Sequence, residues 1–190
     1  MTIENLHQIF LTSYSVCTDT RKVQKNDLFF ALKGENFNGN LFASEAIAKG
    51  ASYAIIDDEI YNTVDGCILV DNALSTLQQL AAFHRRYLNV KILALTGSNG
   101  KTTTKELLHT VLSKKFKTVV TSGNLNNHIG VPLTLLTMNN STEIGIVEMG
   151  ANHVKEIELL CNIVQPDYGY ITNFGKAHLE GFGGIQGVIE

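Results

Sequence analysis

The segment 92–104 combines a short apolar run, a glycine turn and the start of a helical pattern. The apolar run Ile92–Leu95 indicates a buried strand, and the pattern that opens at Lys101 indicates a helix. A strand, a glycine turn and a helix N-terminus gather backbone N–H groups and the positive end of the helix dipole at one point, which favours a phosphate group. Gly97 and Gly100 allow close approach of a ligand because they carry no Cβ.

Two side chains at the start of the helix could complete this phosphate site. Lys101 would place a positive charge on the outer phosphates, and the hydroxyl of Thr102 would bind Mg²⁺. The full G-x-x-x-x-G-K-[ST] pattern is not met because its first glycine falls on Leu95, so an ordinary glycine turn is the alternative. The order of strand, turn and helix favours phosphate binding. The predicted phosphate-binding residues are Gly97, Ser98, Asn99, Gly100, Lys101, Thr102 and Thr103.

Two titratable residues follow strand patterns further along the chain. Glu148 ends an apolar strand pattern, and ligands of open α/β sheets lie beyond the carboxyl ends of the strands. A carboxylate there can bind Mg²⁺ directly or through water, while a solvated acid at a strand end is the alternative. His178 also follows a strand pattern, although a lone histidine is more often a surface or structural residue than a ligand.

Three asparagines, Asn124, Asn126 and Asn127, lie within four positions just before a predicted helix start. Asparagines in loops usually mark turns, because their side chains bond to nearby backbone groups. A cluster of them before a helix could also bind an anionic or sugar ligand. From the residues alone, both interpretations stay open.

Composition and charge exclude several classes of protein. The 190 residues are 44% hydrophobic, and 15 basic against 18 acidic residues give a net charge of −3, so a general nucleic-acid binder is not expected. Three widely spaced cysteines predict reduced thiols rather than disulfides or a metal site. The chain has no signal-peptide pattern and no apolar run near the ~18 residues of a membrane span. We therefore expect a cytoplasmic protein without membrane insertion.

The order of helical and strand patterns predicts an α/β protein in two parts. Residues 1–88 predict a small α/β domain, in which Asn72 caps a long helix and residues 15–21 form a turn. Its predicted strands are Leu28–Leu32, Tyr53–Ile56 and Cys67–Val70.

Residues 89–190 predict a P-loop-type domain with a mostly parallel sheet, since strands and helices alternate. We expect this sheet to be incomplete, because a nucleotide-binding sheet usually needs more strands than these residues supply. Residues 173–184 are predicted to form a glycine-rich loop.

Four ordered motifs resemble those of the Mur ligase family. They are TGSNGKTT at 96–103, GNLNNHIGVP at 123–132, EMGA at 148–151 and TNFGKAHLEGFG at 172–183. The segments Asp19–Arg21 and Gly34–Gly39 are similar to parts of the family's nucleotide-sugar-binding domain. The resemblance covers nearly the whole chain and is strongest to the members that add D-alanyl-D-alanine to UDP-N-acetylmuramoyl-tripeptide.

The resemblance implies an ATP-driven, Mg²⁺-dependent ligase that activates a carboxylate as an acyl phosphate and joins it to an amine. Its small-molecule partners would be UDP-N-acetylmuramoyl-tripeptide and D-alanyl-D-alanine. The implied catalytic residues are Lys101, Glu148 and His178, and the implied metal ligands are Thr102, Glu148 and His178. The implied substrate contacts are Thr20, Asn36 and Phe37 at the uridine end, with Asn124 and Asn127 at the diphosphate or sugar.

Two departures from the family limit what the resemblance implies. Asn40 stands where histidine is common, which leaves that substrate contact open. Family spacing puts a carbamylated lysine, which helps to hold a second Mg²⁺, just beyond Glu190, so we expect this chain alone to be inactive. The alternatives are a sister ligase that adds another amino acid, a phosphate-loop hydrolase or kinase, and a non-catalytic nucleotide-sugar-binding fragment.

Overall fold

Two parallel β-sheets, one in each of two units, organise the chain. The computed structural model describes residues 1–175, 178–184, 186 and 187, and the units are Met1–Phe83 and His84–Glu190. The domain boundary that we predicted between residues 88 and 89 stays a prediction, because compact units are not by themselves domains. Every helix in these described ranges is too short or too polar to cross a lipid bilayer.

The first unit is built on a four-stranded sheet with the strand order β1-β2-β5-β6, in which all neighbours are parallel. Strand β2 is central and buried on both faces, which explains its continuous apolar sequence. A separate antiparallel pair joins β3 to β4. The elements are α1 (Ile3–Thr12), β1 (Val16–Cys17), β2 (Leu28–Phe30), β3 (Lys33–Gly34), β4 (Phe37–Asn38), α2 (Ala43–Ala48), β5 (Tyr53–Ile56), β6 (Cys67–Leu69) and α3 (Ala73–Leu88).

Local sequence predicted most of this unit but missed its two-residue strands. The Oδ1 of Asn72 accepts a hydrogen bond from the Ser75 amide at 2.7 Å, so the predicted helix cap is confirmed. The prediction of a turn over residues 15–21 is wrong at Val16 and Cys17, which pair with Leu28 and Phe29. A two-residue strand is too short to show any periodicity, and only the pairing with β2 creates it.

The second unit contains a sheet with the strand order β10-β7-β9-β8, again with parallel neighbours throughout. The predicted mostly parallel α/β architecture is therefore confirmed. The prediction of a loop over residues 173–184 is wrong at Leu179–Phe182, which form a short helix. The elements are β7 (Lys91–Thr96), α4 (Lys101–Leu112), β8 (Thr118–Val120), α5 (Gly130–Leu136), β9 (Ile144–Glu148), α6 (Glu156–Val164), β10 (Tyr168–Ile171) and α7 (Leu179–Phe182).

The register of this sheet brings three strand ends together. Leu95 of β7 pairs with Glu148 of β9, and Thr96 pairs with Ile171 of β10. The carboxyl ends of β7, β9 and β10 therefore lie side by side at the edge where ligands of parallel sheets bind.

An ionic network around Asp167, within the second unit, lies at the amino-terminal ends of β7 and β10 and includes Arg85. Asp167 accepts hydrogen bonds from Lys91 Nζ at 2.7 Å, the Ile92 amide at 2.9 Å and Arg85 Nη2 at 3.0 Å. Arg85 also donates to the carbonyls of Val164 and Gln165. Hydrogen bonding from Lys91, followed by that from the Ile92 amide, holds the pKa of Asp167 below its ordinary value of 3.8.

We expect Asp167→Asn to remove part of the acid sensitivity of this unit. A depressed carboxyl pKa means that the ionised form stabilises the fold above the ordinary pKa, and that this stabilisation is lost as pH falls through the folded-state value. The variant should have a lower free energy of unfolding at pH 7 and converge on the parent in acid, as measured by urea unfolding across pH. Glu158→Gln, which removes an exposed carboxylate from the same unit, is the control. Parallel pH curves for Asp167→Asn and the parent would contradict the assignment.

Candidate phosphate and metal site

The glycine loop between β7 and α4 is braced by the residues that follow β10. The amides of Ser98 and Asn99 donate to Asn173, at 3.0 Å to its carbonyl and 3.3 Å to its Oδ1. Thr172 Oγ1 donates to the Asn99 carbonyl at 2.7 Å, and the Gly175 amide donates to Ser98 Oγ at 2.8 Å. The loop is therefore held in one conformation, and the Ser98 and Asn99 amides are used in holding it.

The start of α4 offers the unused hydrogen-bond donors of this region. The helix begins after Gly100, which has φ +76° and provides no side-chain cap, so the first amides of the helix lack intrahelical acceptors. Those amides belong to Lys101, Thr102 and Thr103. A Cβ built on Gly100 would meet no atom within 4 Å, which leaves open space beside them. Uncapped amides, a helix dipole and open space are the features that favour anion binding at a helix start.

Lys101 is folded back over this loop. Its Nζ donates to the Gly97 carbonyl at 2.7 Å, and Gly97 has φ +132°, a conformation that other residues rarely adopt. The ammonium group therefore lies over the glycine turn, where a phosphate bound to the α4 amides would meet it.

Glu148 is buried at the end of β9, and its side chain faces the start of α4. Its Oε1 accepts a hydrogen bond from Asn126 Nδ2 at 2.8 Å and lies 3.5 Å from Thr102 Oγ1. Its backbone amide donates to Thr121 Oγ1 at 2.9 Å. The Oε2 makes no hydrogen bond with any described residue and lies 3.7 Å from Lys105 Nζ.

The Thr102–Glu148 pair fits a Mg²⁺ ion. Two oxygens that bind the same Mg²⁺ at ~2.1 Å are at most ~4.2 Å apart, and the two side-chain oxygens are 3.5 Å apart. Within the described ranges, no group of three or more histidine, cysteine, aspartate or glutamate residues is arranged to hold a metal. A bound ion would therefore take its other ligands from phosphate and water, as Mg²⁺ does readily.

His178 lies on a cavity of about 560 Å³ beside the glycine loop, together with Gly97, Lys101 and Asn173. Its side chain is exposed and its φ is +54°. In the part of the chain that the structure describes, no hydrogen bond or ion pair joins His178 to Glu148. The structure thus brings Lys101 and His178 to one cavity and Thr102 and Glu148 to one contact. Lys176 and Ala177 of the same motif lie outside the described residues.

The three clustered asparagines have three different environments. Asn126 is the one that contacts Glu148, and its carbonyl accepts a hydrogen bond from the Gly150 amide at 2.7 Å. Asn127 Oδ1 accepts from the amides of Ile129 and Gly130, at 3.1 and 2.9 Å, where α5 begins. Asn124 is exposed. The turn interpretation is therefore confirmed for Asn127, while binding of an anionic or sugar ligand by the cluster stays a prediction.

The predicted uridine contacts lie in the first unit. Thr20 is half-buried and its carbonyl accepts from Lys49 Nζ at 3.1 Å, while Asn36 is exposed. Phe37 is 54% exposed and stacks on Phe42 with ring centroids 5.5 Å apart and an interplanar angle of 11°. No hydrogen bond between described residues links Thr20 to Asn36 or Phe37. The Phe37 ring is therefore partly covered by Phe42 and partly exposed.

Asn40, the departure from the family, is used in holding the fold. It is 1% exposed, and its Nδ2 donates to Asn38 Oδ1 and Asp57 Oδ1, both at 2.9 Å. Its Oδ1 accepts from the Asp57 amide at 3.0 Å. The side chain therefore connects the β4 turn to the end of β5.

Three functional candidates were missed from sequence: Asn173, Asn126 and Lys105. Asn173 was named only as part of a motif. Asn126 was noticed in its cluster but not chosen over its neighbours. Lys105 was overlooked, although it lies four residues after Lys101 and therefore on the same face of the helix, which was the available signal.

The mostly parallel sheet and the glycine loop before α4 are those of an α/β protein of the P-loop type. The chain belongs to the Mur ligase family: the profile of the Mur ligase middle domain matches residues 95–190, and that described as the Mur ligase family catalytic domain matches residues 12–91. The family resemblance predicted from the four motifs is confirmed.

The named relatives are longer than this chain. UDP-N-acetylmuramoyl-tripeptide–D-alanyl-D-alanine ligase of Bacillus subtilis is 42% identical over 93% of this chain and 39% of its own length. The enzyme of that name from Escherichia coli is 40% identical over 95% of this chain and 40% of its own length. The chain thus spans about two fifths of the length of these curated relatives.

Solved structures of related proteins have the same fold. A crystal structure of MurF from Acinetobacter baumannii has a TM-score of 0.87 at 37% identity, over 99% of this chain and 44% of that one. MurF of Thermotoga maritima in complex with ADP has a TM-score of 0.84 at 36% identity, over 95% of this chain and 42% of that one. A diaminopimelate-adding ligase, UDP-N-acetylmuramoyl-L-alanyl-D-glutamate–2,6-diaminopimelate ligase, has a TM-score of 0.55 at 21% identity, over 88% of this chain and 37% of that one, and so shares the fold alone.

Proposed function

We propose that this chain supplies the nucleotide-sugar-binding part and the phosphate-binding part of an ATP-dependent ligase. The reaction joins D-alanyl-D-alanine to UDP-N-acetylmuramoyl-tripeptide in the cytoplasm, where ATP is available, and builds a cell-wall precursor. The observation that carries the proposal is the uncapped start of α4, with Lys101 over the glycine turn and the Thr102–Glu148 pair beside it. The described MurF structure in complex with ADP supports nucleotide binding.

Lys101 and the first amides of α4 would bind the outer phosphates of ATP. On transfer of the γ-phosphoryl group to the peptide carboxylate, negative charge spreads over the transferring oxygens, and fixed positive groups stabilise it. The Asn173 brace keeps those groups in place before the substrate arrives, so that little reorganisation is needed. The amine of D-alanyl-D-alanine would then attack the acyl phosphate, and phosphate would leave.

Thr102 and Glu148 would hold Mg²⁺, and His178 is our candidate for contact with a second metal or with the substrate carboxylate. A bound Mg²⁺ supplies positive charge that allows a carboxylate and a triphosphate to approach each other. Asn126 keeps Oε1 of Glu148 directed toward Thr102. His178 lies on the cavity that Lys101 also lines, which supports a role close to the transferred group.

The first unit would bind the uridine end of the nucleotide-sugar. We assign the base to the exposed part of the Phe37 ring, because aromatic stacking suits a flat base, and the nearby polar contacts to Thr20 and Asn36. Arg21 lowers the pKa of Asp19 to about 2 by a hydrogen bond between their side chains, so Asp19 next to Thr20 carries a negative charge at neutral pH. Asn124 and Asn127 are the candidates for the diphosphate or sugar.

A sister ligase that adds a different amino acid is the less well supported assignment. The two relatives described above at 40% identity or more carry the D-alanyl-D-alanine name. The diaminopimelate-adding neighbour is only 21% identical. Assignment as a generic phosphate-loop hydrolase would not explain the family match over residues 12–91.

We expect the 190-residue chain to bind both nucleotides without turnover. In separate calorimetric titrations it should bind UDP-N-acetylmuramoyl-tripeptide weakly and Mg·ATP poorly, because it spans about two fifths of its relatives. Phe37→Ala should weaken binding of the nucleotide-sugar by about 1–3 kcal/mol and leave binding of Mg·ATP unchanged. Leu41→Ala, which truncates another exposed apolar residue, is the control. Absence of binding to any one of the two ligands would refute the proposal. ADP release that requires all three substrates would contradict the expected inactivity.

A further inference from the structure

Lys105 is a fully buried lysine one helical turn after Lys101. Its side chain is 1% exposed, and its Nζ donates to the carbonyls of Thr121 at 2.9 Å and Gly123 at 3.3 Å. The same ammonium lies 3.7 Å from Glu148 Oε2 and 3.2 Å from Glu106 Oε1. Lys105 has no place in the phosphate chemistry described above, so its burial needs a separate explanation.

The contact with Glu148 balances two buried charges. The Glu148 side chain is 2% exposed, and an unpaired buried carboxylate or ammonium is strongly unfavourable. Glu106 is a weaker partner because its side chain is 58% exposed and water screens that contact. The buried ammonium therefore pairs chiefly with Glu148.

The geometry gives the two oxygens of Glu148 different roles. Oε2 faces Lys105, whereas Oε1 faces Thr102 and Asn126. An ammonium on one side of the carboxylate fixes its rotation, so the other oxygen stays directed at the Thr102 hydroxyl.

The carbonyl contacts extend this arrangement to the asparagine-rich segment. Thr121 accepts from Lys105 through its carbonyl and from the Glu148 amide through its Oγ1. Gly123, the other carbonyl acceptor, directly precedes Asn124. A single ammonium thus joins the phosphate-loop helix, the metal-facing carboxylate and the start of the 124–127 segment.

We propose that Lys105 is a positioning residue for Glu148. It holds the carboxylate with Oε1 toward Thr102, so that the Mg²⁺-dependent part of nucleotide binding depends on a residue that touches neither metal nor nucleotide. The nucleotide measurement rests on the proposed function, whereas the pairing of Lys105 with Glu148 does not.

The pairing is tested by a double-mutant cycle on unfolding of the 190-residue chain. Lys105→Met and Glu148→Gln each remove one charge, and the double variant removes both. We expect the double variant to be more stable than the sum of the single effects predicts, by about tenfold in the unfolding equilibrium constant, or about 1.4 kcal/mol. Glu106→Gln, the control at the exposed partner, should change stability little. Additive effects would overturn the proposal.

The positioning role is tested by calorimetric titration with ADP, with Mg²⁺ and with a chelator. Lys105→Met should lower the affinity for ADP about tenfold in Mg²⁺ and at most about twofold without it, because only the metal-dependent contact is disturbed. Lys114→Met, an exposed lysine just after α4, is the control. Equal losses in both conditions, or no loss in a folded variant, would refute the positioning role.

Two further outcomes are also decisive. If Lys105→Met does not fold, the double variant should fold, because its buried carboxylate charge is gone; a double variant that also fails to fold would overturn the pairing. If the parent chain binds no ADP, the proposed function fails, while the unfolding cycle still decides the pairing.

Discussion

Lys101→Met lowers the affinity of the chain for Mg·ADP by about 10- to 100-fold, the largest binding effect that we expect from a substitution that leaves the stability of the fold nearly unchanged. A hydrogen bond between an ammonium and a phosphate is worth about 1.5–3 kcal/mol, and each 1.4 kcal/mol is about tenfold in affinity. Lys101 is half-buried, and its single hydrogen bond, to the Gly97 carbonyl, contributes little to the fold. The free energy of unfolding should therefore change by no more than about 0.5 kcal/mol.

Calorimetric titration with Mg·ADP and urea unfolding of the same samples measure both quantities. Lys114→Met removes the same charge and the same side-chain type from an exposed position just after the same helix. It should leave both measurements at the parent value, which excludes a general effect of net charge. Unchanged ADP affinity in Lys101→Met would place the phosphates elsewhere and remove the basis of the phosphate-site assignment.

Gly97→Ala has the largest expected effect on stability, a loss of about 3 kcal/mol or more. The position has φ +132°, and a Cβ there would lie 2.1 Å from Thr172 Oγ1 and 3.0 Å from the Asn173 amide. Backbone strain of this kind costs about 1–3 kcal/mol, and overpacking adds about 1–3 kcal/mol. Relief of the clash requires the brace between the glycine loop and residues 172–175 to open. Nucleotide binding should therefore be lost together with stability.

Gly123→Ala separates the two contributions to that loss. Gly123 has φ +53°, but a Cβ there would meet nothing within 4 Å, so only the backbone strain applies. We expect a loss of about 1 kcal/mol in the free energy of unfolding, measured by urea denaturation. Similar losses for the two substitutions would show that the contact with Thr172 does not limit the position of the loop.

The phosphate loop was predictable because its determinants are contiguous. Strand β7, Gly97, Gly100 and Lys101 lie within eleven residues, and the helix begins directly after Gly100. The same holds for the Asn72 cap, whose acceptor is three residues from its donor. Local patterns likewise predicted the parallel α/β class and, through four ordered motifs, the family.

The shortest elements were predicted wrongly. Val16 and Cys17 form a strand because β2 lies beside them. Two residues are too few for the sequence pattern to indicate a strand. The helix Leu179–Phe182 is a single turn within a glycine-rich stretch, too short for a helical period to appear. In both cases the element is too short to show a period in the sequence.

By itself, then, the sequence determined where a phosphate loop, its lysine and its hydroxyl lie, because these follow from neighbouring residues. Only the tertiary structure decided what holds them. The Asn99–Asn173 brace joins residues 74 apart, and the Asn126–Glu148 contact joins residues 22 apart. The buried pairing of Lys105 with Glu148 links α4 to the end of β9. Such contacts depend on strand order and register, which bring distant residues together only after the sheet has formed.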